Sequence, residues 1–529
     1  MRKIQSLNFG KNDANGYSTQ EDKEFFSKLF IEDEHLNKLV EGSTFFLIGD
    51  KGTGKTAYAK YISETDYKGN AGRLVQMSNT DYHRFVKLKN DKKIAVSDYS
   101  DVWTIILLLL ISEKIIETED KRIFNFSKFK QLHNAIDEFY YNAFQPEIQY
   151  AIQFVEQSSM GAKVIFDHFN AGVSDDKVVE FSEKRIKQNI LYIKRQFEDA
   201  IRSIVTNKSY IIFIDGIDVR PANIEYDEYL SCVRGLVNAV WQINTGFLSD
   251  IQKTNTTIKT CLLIRPDILD AVRPHNLNSK VRDNGLLLDW RTMYRDFDKS
   301  LIFKMADRLL SVQQEDPNLQ LGECWNYYFN FKIEKYPGDD NPDNSFIEFL
   351  RYSFYRPRDI LSLMQCMYVA YNEDEKKSAH DTFNKYHFLH ARTEYSAYLL
   401  GEIRDYLSFY YQEQDFDLFE KFFQLLSPYI NKGPRSFTYD EFVEAFSAFS
   451  TYIKENDIKH PIIFNTADIF LQFLYELNVI CFIDGVTKYS RPLQKWCFRE
   501  RTFNNIRPKV QSNKTYKIHF GIGKALKLF

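Results

Sequence analysis

Residues 45–60 read FFLIGDKGTGKTAYAK. The run Phe45-Phe46-Leu47-Ile48 has the length and apolar character of a buried strand. Gly49, Asp50, Lys51, Gly52, Thr53, Gly54, Lys55 and Thr56 follow, and they fit G-x-x-x-x-G-K-T, the phosphate-binding P-loop. Ala57 to Ile62 continues as a helix and Ala57 is counted with the phosphate-binding residues. Glycines let backbone N–H groups turn toward an anion without a Cβ clash. The helix N-terminus brings its positive end to the same anion. In such a loop Lys55 reaches the β- and γ-phosphates, and Thr56 holds Mg²⁺ through its hydroxyl. ATP and Mg²⁺ are therefore the expected cofactors.

A second anchor lies at Tyr210-Ile211-Ile212-Phe213-Ile214-Asp215. An apolar run suits a central parallel strand covered on both faces. Asp215 then emerges at the strand's C-terminal end, where open α/β sheets bind ligands, and is the expected Mg²⁺ partner. Gly216 follows where many ATPases carry a catalytic Glu, so the next acid is Asp218. Asp218 either orients the attacking water or caps the loop after it. Thr260 to Ile264 reads as the neighbouring strand, with Arg265 at its tip as a γ-phosphate sensor or as a surface arginine before a turn. Leu286-Leu287-Leu288 reads as a fifth strand. Arg282, just before it, is the candidate finger for a neighbouring subunit's site, with Arg273 and Arg291 as rivals.

The chain has 529 residues, enough for several domains, and 44% of them are hydrophobic, enough for sizeable cores. A net charge of −3 gives no bulk attraction to nucleic acid or membrane, so any such affinity is local. The opening MRKIQSLNFGKND lacks an apolar leader region, and the apolar run Ile105–Ile111 is too short to span a bilayer. No membrane association is expected. Six scattered cysteines without a C-x-x-C pair read as buried thiols in a reduced, cytoplasmic protein. His387, His390 and Glu394 share helical spacing, and read as an ordinary helix face before they read as a metal site.

Residues 1–40 form a polar helical lead-in with no room for an N-terminal effector domain. Arg73 to Met77 reads as the second strand, and Asp98 to about Glu113 as a helix burying Trp103 and the leucine run. From about 115 to 207 the pattern is helical, either an insertion or a long crossover, with Phe139 to Phe154 rich in aromatics. Tyr294 to Leu310 and Phe346 to about Tyr371 read as helices, separated by a loop at Tyr336 to Asp343. The second carries YRPRDIL, in which Pro357 suits a first helical turn.

The segments GDKGTGKTAYAKYI, FIDGIDVRP, LLIRPDIL, NSKVRDNGLLLDWR and YRPRDIL resemble bacterial FunZ-type P-loop ATPases of the AAA+/STAND class, over roughly residues 20 to 375. The likeness implies an α/β P-loop NTPase core over 41–293, a parallel sheet with the helical insertion, and a helical lid over 294–375. It also implies that Arg358 points back at the nucleotide from the lid, with Arg356 as its substitute. A salt bridge with a neighbouring carboxylate is the competing role. Members of the class often serve as ATP-dependent switches in bacterial conflict, which implies a homo-oligomer and a separately encoded effector partner. The departure at Gly216 bears on fast hydrolysis, not on binding.

Residues 376–529 read as helices at His380–Tyr411, Asp415–Tyr429, Thr438 to about Asn456 and Thr466–Leu477, then a hairpin formed by Val479–Ile483 and Trp496–Arg499. This pattern suggests a winged-helix-like α+β domain. Residues 501–529 carry seven Lys or Arg and no acid. That local basic patch suits a DNA backbone, and equally suits a structural wing with a solubilising end. Two readings result: an ATP-hydrolysing switch, or a DNA-binding ATPase that remodels or translocates on nucleic acid. A scaffold that keeps ATP without turnover is a third.

Overall fold

The computed structural model describes residues 1–77, 97–119, 126–141, 183–218, 220, 226–251, 256–273, 276–334, 342–374, 381–410, 413–430, 435–485 and 493–528. The aromatic stretch 142–154 and the loop 335–341 lie outside them. The chain forms two compact units. One comprises Glu32–Asp50 and Lys55–Leu288, the other Met1–Ile31, Lys51–Gly54 and Asp289–Phe529.

The first unit is an α/β layer structure around one parallel sheet. Its strands are β1 (Phe46–Ile48), β2 (Asn70–Gln76), β3 (Ser209–Asp215), β4 (Ile258–Ile264) and β5 (Gly285–Leu287), in the order β2-β3-β4-β1-β5. β4 pairs with both β3 and β1, with Ile214 beside Leu262 and Ile48 beside Ile264. Tyr210 to Ile214 and Cys261 to Ile264 are all buried, as strands covered on both faces must be. Parallel neighbours need crossovers, and helices supply them. Lys55–Thr65 joins β1 to β2, and Tyr226–Thr245 lies between β3 and β4. Between β2 and β3 stand Ser97–Glu119, Phe126–Tyr141 and Glu183–Ser203, so the expected helical character of that region holds where the chain is described. Ile105 to Ile111 is buried all round, and the Trp103 indole donates to the Cys232 carbonyl at 3.2 Å.

A lysine inside this unit shows how its polar groups are met. Lys259 on β4 is buried, and its amine donates to the Leu39 carbonyl at 2.7 Å and to that of Glu41. These carbonyls close the helix Glu34–Val40, whose last acceptors need such a donor. Burial pulls the amine down to about 8.

The second unit is held by aromatic packing. Trp325 stacks on Phe329 at 4.2 Å between ring centres and meets Phe346 and Phe349 edge-on. Phe422 and Phe470 form a second edge-on pair at 4.7 Å. Two short antiparallel strands, β6 (Lys332–Ile333) and β7 (Asp343–Asn344), precede the helix Ser345–Tyr352. A four-stranded antiparallel sheet, in the order β10-β9-β11-β8, joins β8 (Ser436–Thr438), β9 (Ile480–Asp484), β10 (Leu493–Lys495) and β11 (Thr515–Ile518). The expected return strand at Trp496–Arg499 is displaced: β10 ends at Lys495, and Cys497–Glu500 is helical. The buried Cys497 turns inward there, and the Trp496 carbonyl accepts from the Glu500 amide at 3.1 Å. The capped start at Thr438 holds, with Thr438 and Glu441 forming a reciprocal capping box. No described helix is long and apolar enough to cross a membrane.

The last residues of this unit carry a pH-dependent element. His519 is buried, its Nε2 donates to the Ser353 carbonyl at 3.2 Å, and the Gly521 amide donates to its Nδ1 at 3.2 Å. Both ring nitrogens are thus used by the neutral form. Burial, with Arg435, Arg356 and Arg499 nearby, lowers its pKa from 6.5 to about 3. Above pH 6.5 neither folded nor unfolded His519 is protonated, and the group costs nothing. Below it the unfolded chain gains a proton that the folded chain refuses, which lowers stability by about 1.4 kcal/mol per pH unit. This continues down to about pH 3. Urea unfolding of wild type and His519→Asn, compared between pH 6 and pH 4, should show the wild type falling more steeply. Parallel curves would remove His519 from the account.

Candidate functional site

The C-terminal ends of β1, β3 and β4 lie side by side, so the residues that follow them collect at one edge of the sheet. From β1 comes the turn Gly49-Asp50, tied to β4 by the Gly49 amide on the Ile264 carbonyl at 3.2 Å. Lys55 opens the next helix and is 8% exposed. Its amine donates to the carbonyls of Gly49 at 2.8 Å and Asp50 at 3.1 Å. Burial pulls its pKa down, Asp218 and Asp215 pull it up, and Arg265 adds to the downward pull. Asp218, Asp215 and Arg265 are therefore close enough to feel the same cation.

Thr56 donates its hydroxyl to Asp215 Oδ2 at 2.6 Å. Gln76, at the end of β2, donates to the same oxygen at 3.0 Å, and the Gly216 amide holds Oδ1 at 2.8 Å. Burial raises the Asp215 pKa, the Thr56 bond opposes the rise, and Asp218 adds to it. A threonine hydroxyl and a carboxylate brought together are hard oxygen donors of the kind Mg²⁺ selects. The residues present fit that ion.

Gly216 explains the missing glutamate. Its φ is +81°, and a Cβ there would sit 2.8 Å from the Met77 carbonyl oxygen. No side chain fits at this position, so the first available carboxylate is that of Asp218. Asp218 is partly exposed and makes no hydrogen bond or ion pair among the described residues. Tyr229, buried on the helix Tyr226–Thr245, donates its hydroxyl to the Ile217 carbonyl and so fixes the turn between Asp215 and Asp218. Most of the loop that Asp218 was expected to cap, 219 and 221–225, lies outside the described residues.

Arg265 is buried at the tip of β4, as the N-cap of the helix Pro266–Val272. Its guanidinium is engaged by Asp267 through two bonds, at 3.0 and 2.7 Å. Arg282 is exposed on the helix Leu277–Asn284 and makes no ion pair among the described residues. Ala57 lies in the first turn of the helix Lys55–Thr65. Of the rivals to Arg282, Arg273 is exposed with φ +37°, and Arg291 is bound to Asp289 at 2.7 and 2.8 Å.

Within the second unit, Lys51, Gly52, Thr53 and Gly54 pack against other parts of that unit. Pro357 does open a helix, Pro357–Glu373, with Arg356 as N-cap. Arg358 sits in its first turn, but its guanidinium binds the Asn12 carbonyl at 2.9 Å and Glu402 at 3.5 Å. Among the described residues its hydrogen bond to the loop comes from the backbone amide, at the Gly52 carbonyl, 3.4 Å away, with the base of its side chain packed beside Gly52. Arg356 instead reaches the Lys51 carbonyl at 2.9 Å, and Asp359 grips its other edge at 2.6 to 3.0 Å. The Trp290 indole donates to the Thr53 carbonyl at 2.9 Å, and Lys51 binds Asp405 at 2.7 Å and Glu402 at 3.3 Å. Trp290, Gln76 and Tyr229 were missed by sequence reasoning. Gln76 alone carried a signal, since it ends the strand beside Asp215.

Four of the seven basic residues in the C-terminal segment are engaged within their own unit, while Lys509, Lys517 and Lys527 make no side-chain hydrogen bond or ion pair among the described residues. Arg501 is buried, Arg507 binds Glu476 at 2.6 and 3.1 Å, Lys514 binds Asp484 at 2.8 Å, and Lys524 binds Thr393. His387 is buried, with Nε2 on Asp374 at 3.2 Å, while His390 faces Glu373 at 3.4 Å. The chain matches none of the protein-family models compared with it, and no curated protein matches it.

Proposed function

We propose that this chain is an Mg²⁺-dependent ATP-binding and ATP-hydrolysing switch of the AAA+/STAND kind. The observation that carries the reading is the meeting of the Thr56 hydroxyl with the Asp215 carboxylate at 2.6 Å, beside the buried amine of Lys55. Lys55 exchanges the Gly49 and Asp50 carbonyls for the β- and γ-phosphate oxygens. Its burial then becomes favourable, because an anion replaces neutral acceptors. Thr56 and Asp215 would hold Mg²⁺, which supplies charge neutralisation at the phosphates when bound. Asp218 orients the attacking water and takes its proton. Arg265 answers the γ-phosphate by leaving Asp267.

ATP as the nucleotide, a setting in bacterial conflict, self-assembly and a separate effector partner all rest on the FunZ-type resemblance. The four-stranded sheet and the helices Tyr439–Glu455 and Ala467–Glu476 suit a winged-helix-like domain with a structural part. The pairing of Arg507 and Lys514 with carboxylates of their own unit, and the burial of Arg501, favour the switch over a DNA-tracking ATPase.

The test is phosphate release from ATP by the purified chain, with and without duplex DNA, and with Lys55→Ala as blank. Slow release indifferent to DNA is expected. Asp218→Asn should lower turnover by about 10²-fold or more, in the range of a general base, while ATP binding survives. Strong stimulation by DNA would replace this reading with the nucleic-acid one. Equal turnover in Asp218→Asn would remove Asp218 from the mechanism. Assembly or shape should also differ between ADP and a non-hydrolysable ATP analogue.

A further inference from the structure

The carbonyls of Lys51, Gly52 and Thr53 are consecutive, and each is taken by a donor of the same unit. The Arg356 guanidinium holds the first at 2.9 Å, the Arg358 amide the second at 3.4 Å, and the Trp290 indole the third at 2.9 Å. A trans peptide is planar, and its N–H points opposite to its C=O. Fixing these three carbonyls therefore fixes the N–H groups of Gly52, Thr53 and Gly54, all turned away from the donors. Gly52 at φ +85° and Gly54 at φ +93° flank Thr53, and left-handed residues in such a run form the concave N–H nest that binds anions.

We infer that Trp290 and Arg356 are positioning residues for the phosphate nest, acting on it from its carbonyl side. They touch no phosphate themselves. Arg356 suits the task because Asp359 locks it with three bonds between 2.6 and 3.0 Å, and Asp359 is itself held by the Phe354 amide at 2.8 Å. Trp290 suits it because a ring on two torsions presents one N–H with little freedom to lose. Gly52 is needed twice over. Beyond its φ, a Cβ there would lie 3.1 Å from the Arg358 Cβ. The Lys51 amine is held in the same unit by Asp405 and Glu402. This assigns to Arg356 a role on the loop backbone in place of the expected one on the nucleotide. The functional meaning rests on the phosphate-binding reading above, whereas the clamp itself is a property of the ligand-free chain.

Two measurements on the full chain keep these apart. The first is the backbone amide order parameter, from 15N relaxation, in wild type and Trp290→Phe, without nucleotide. This substitution removes one N–H and keeps an aromatic ring. The order parameter of Gly54 should fall from about 0.85, a rigid value, toward about 0.6, a flexible one, while those of Phe213 and Leu263 on the central strands do not change. Arg356→Lys should do the same at Gly52. No change at these residues, or a uniform fall across the chain, would overturn the clamp. The second is the affinity for ATP with Mg²⁺, expected to weaken by about fivefold in Trp290→Phe with the turnover rate at saturation kept. A loss of order at Gly54 with unaltered ATP affinity would overturn the positioning role. A wild-type chain that binds no ATP would overturn the proposed function while the relaxation result still decides the clamp.

Discussion

Lys55→Ala should weaken ATP binding by at least about 10²-fold, since charge-assisted bonds to phosphate contribute roughly 1.5–3 kcal/mol each and this amine makes two or more. The substitution should not unfold the chain. In the ligand-free protein the amine is buried on two neutral carbonyls, Gly49 and Asp50, and burial already disfavours its charge. Removing it relieves a desolvation cost, so the thermal midpoint should stay level or rise. Lys55→Arg should not rescue binding, because a planar fork does not fit a site shaped for a point charge. Equilibrium binding of a fluorescent ATP analogue decides the matter, alongside a melting curve. If Lys55→Ala bound ATP as wild type does, the phosphate-loop reading would be wrong, whatever the sequence spells.

Asp359→Ala should destabilise its unit by about 3–5 kcal/mol, the usual cost of breaking a buried ion pair by removing one partner. Asp359 is wholly buried, and it answers both the Arg356 guanidinium and the Phe354 amide. Its loss leaves a buried cation and an unpaired N–H, neither of which water can reach. Asp405→Ala offers the control. That carboxylate is 63% exposed in its pair with Lys51, so its loss should cost no more than about 1 kcal/mol. Denaturant unfolding of the two variants separates the cases. Equal, small losses would mean that the Arg356–Asp359 pair is solvated in the working protein. The same comparison bears on the clamp, because Arg356 cannot hold the Lys51 carbonyl in place once its own anchor is gone.

The sheet was legible where local pattern and burial agree. Phe45 to Ile48, Tyr210 to Ile214 and Thr260 to Ile264 are apolar runs long enough to cross a core and short enough to exclude a helix, and each became a buried strand. Helix starts were legible for a similar reason. Pro357 and the Thr438–Glu441 pair act within a few residues of themselves, so distant chain has little say. The C-terminal sheet was harder. β8 and β11 are short, and each is stabilised by the other across a long stretch of chain, with Tyr516 opposite Phe437. Nothing local marks them, and the displaced β10 follows from the same weakness.

Arginine roles show the limit most sharply. A sequence places Arg265, Arg282, Arg356 and Arg358 near turns or helix ends, but a guanidinium on a long stem reaches whatever carboxylate the fold brings within range. Asp267 takes Arg265, Asp359 takes Arg356, and Glu402 with the Asn12 carbonyl takes Arg358. Gly216 is the opposite case: its identity was plain, but the reason for it came from Met77, on a different strand's exit.

By itself the sequence determined the G-x-x-x-x-G-K-T spacing after β1, the acid that ends β3, and the parallel α/β core, because each depends on spacing and hydrophobic period within one short segment. Tertiary structure alone decided which donors hold the loop carbonyls, which carboxylate answers each arginine, and that no side chain fits at 216. Those outcomes depend on distances between segments far apart in the chain, which packing sets and no local pattern encodes.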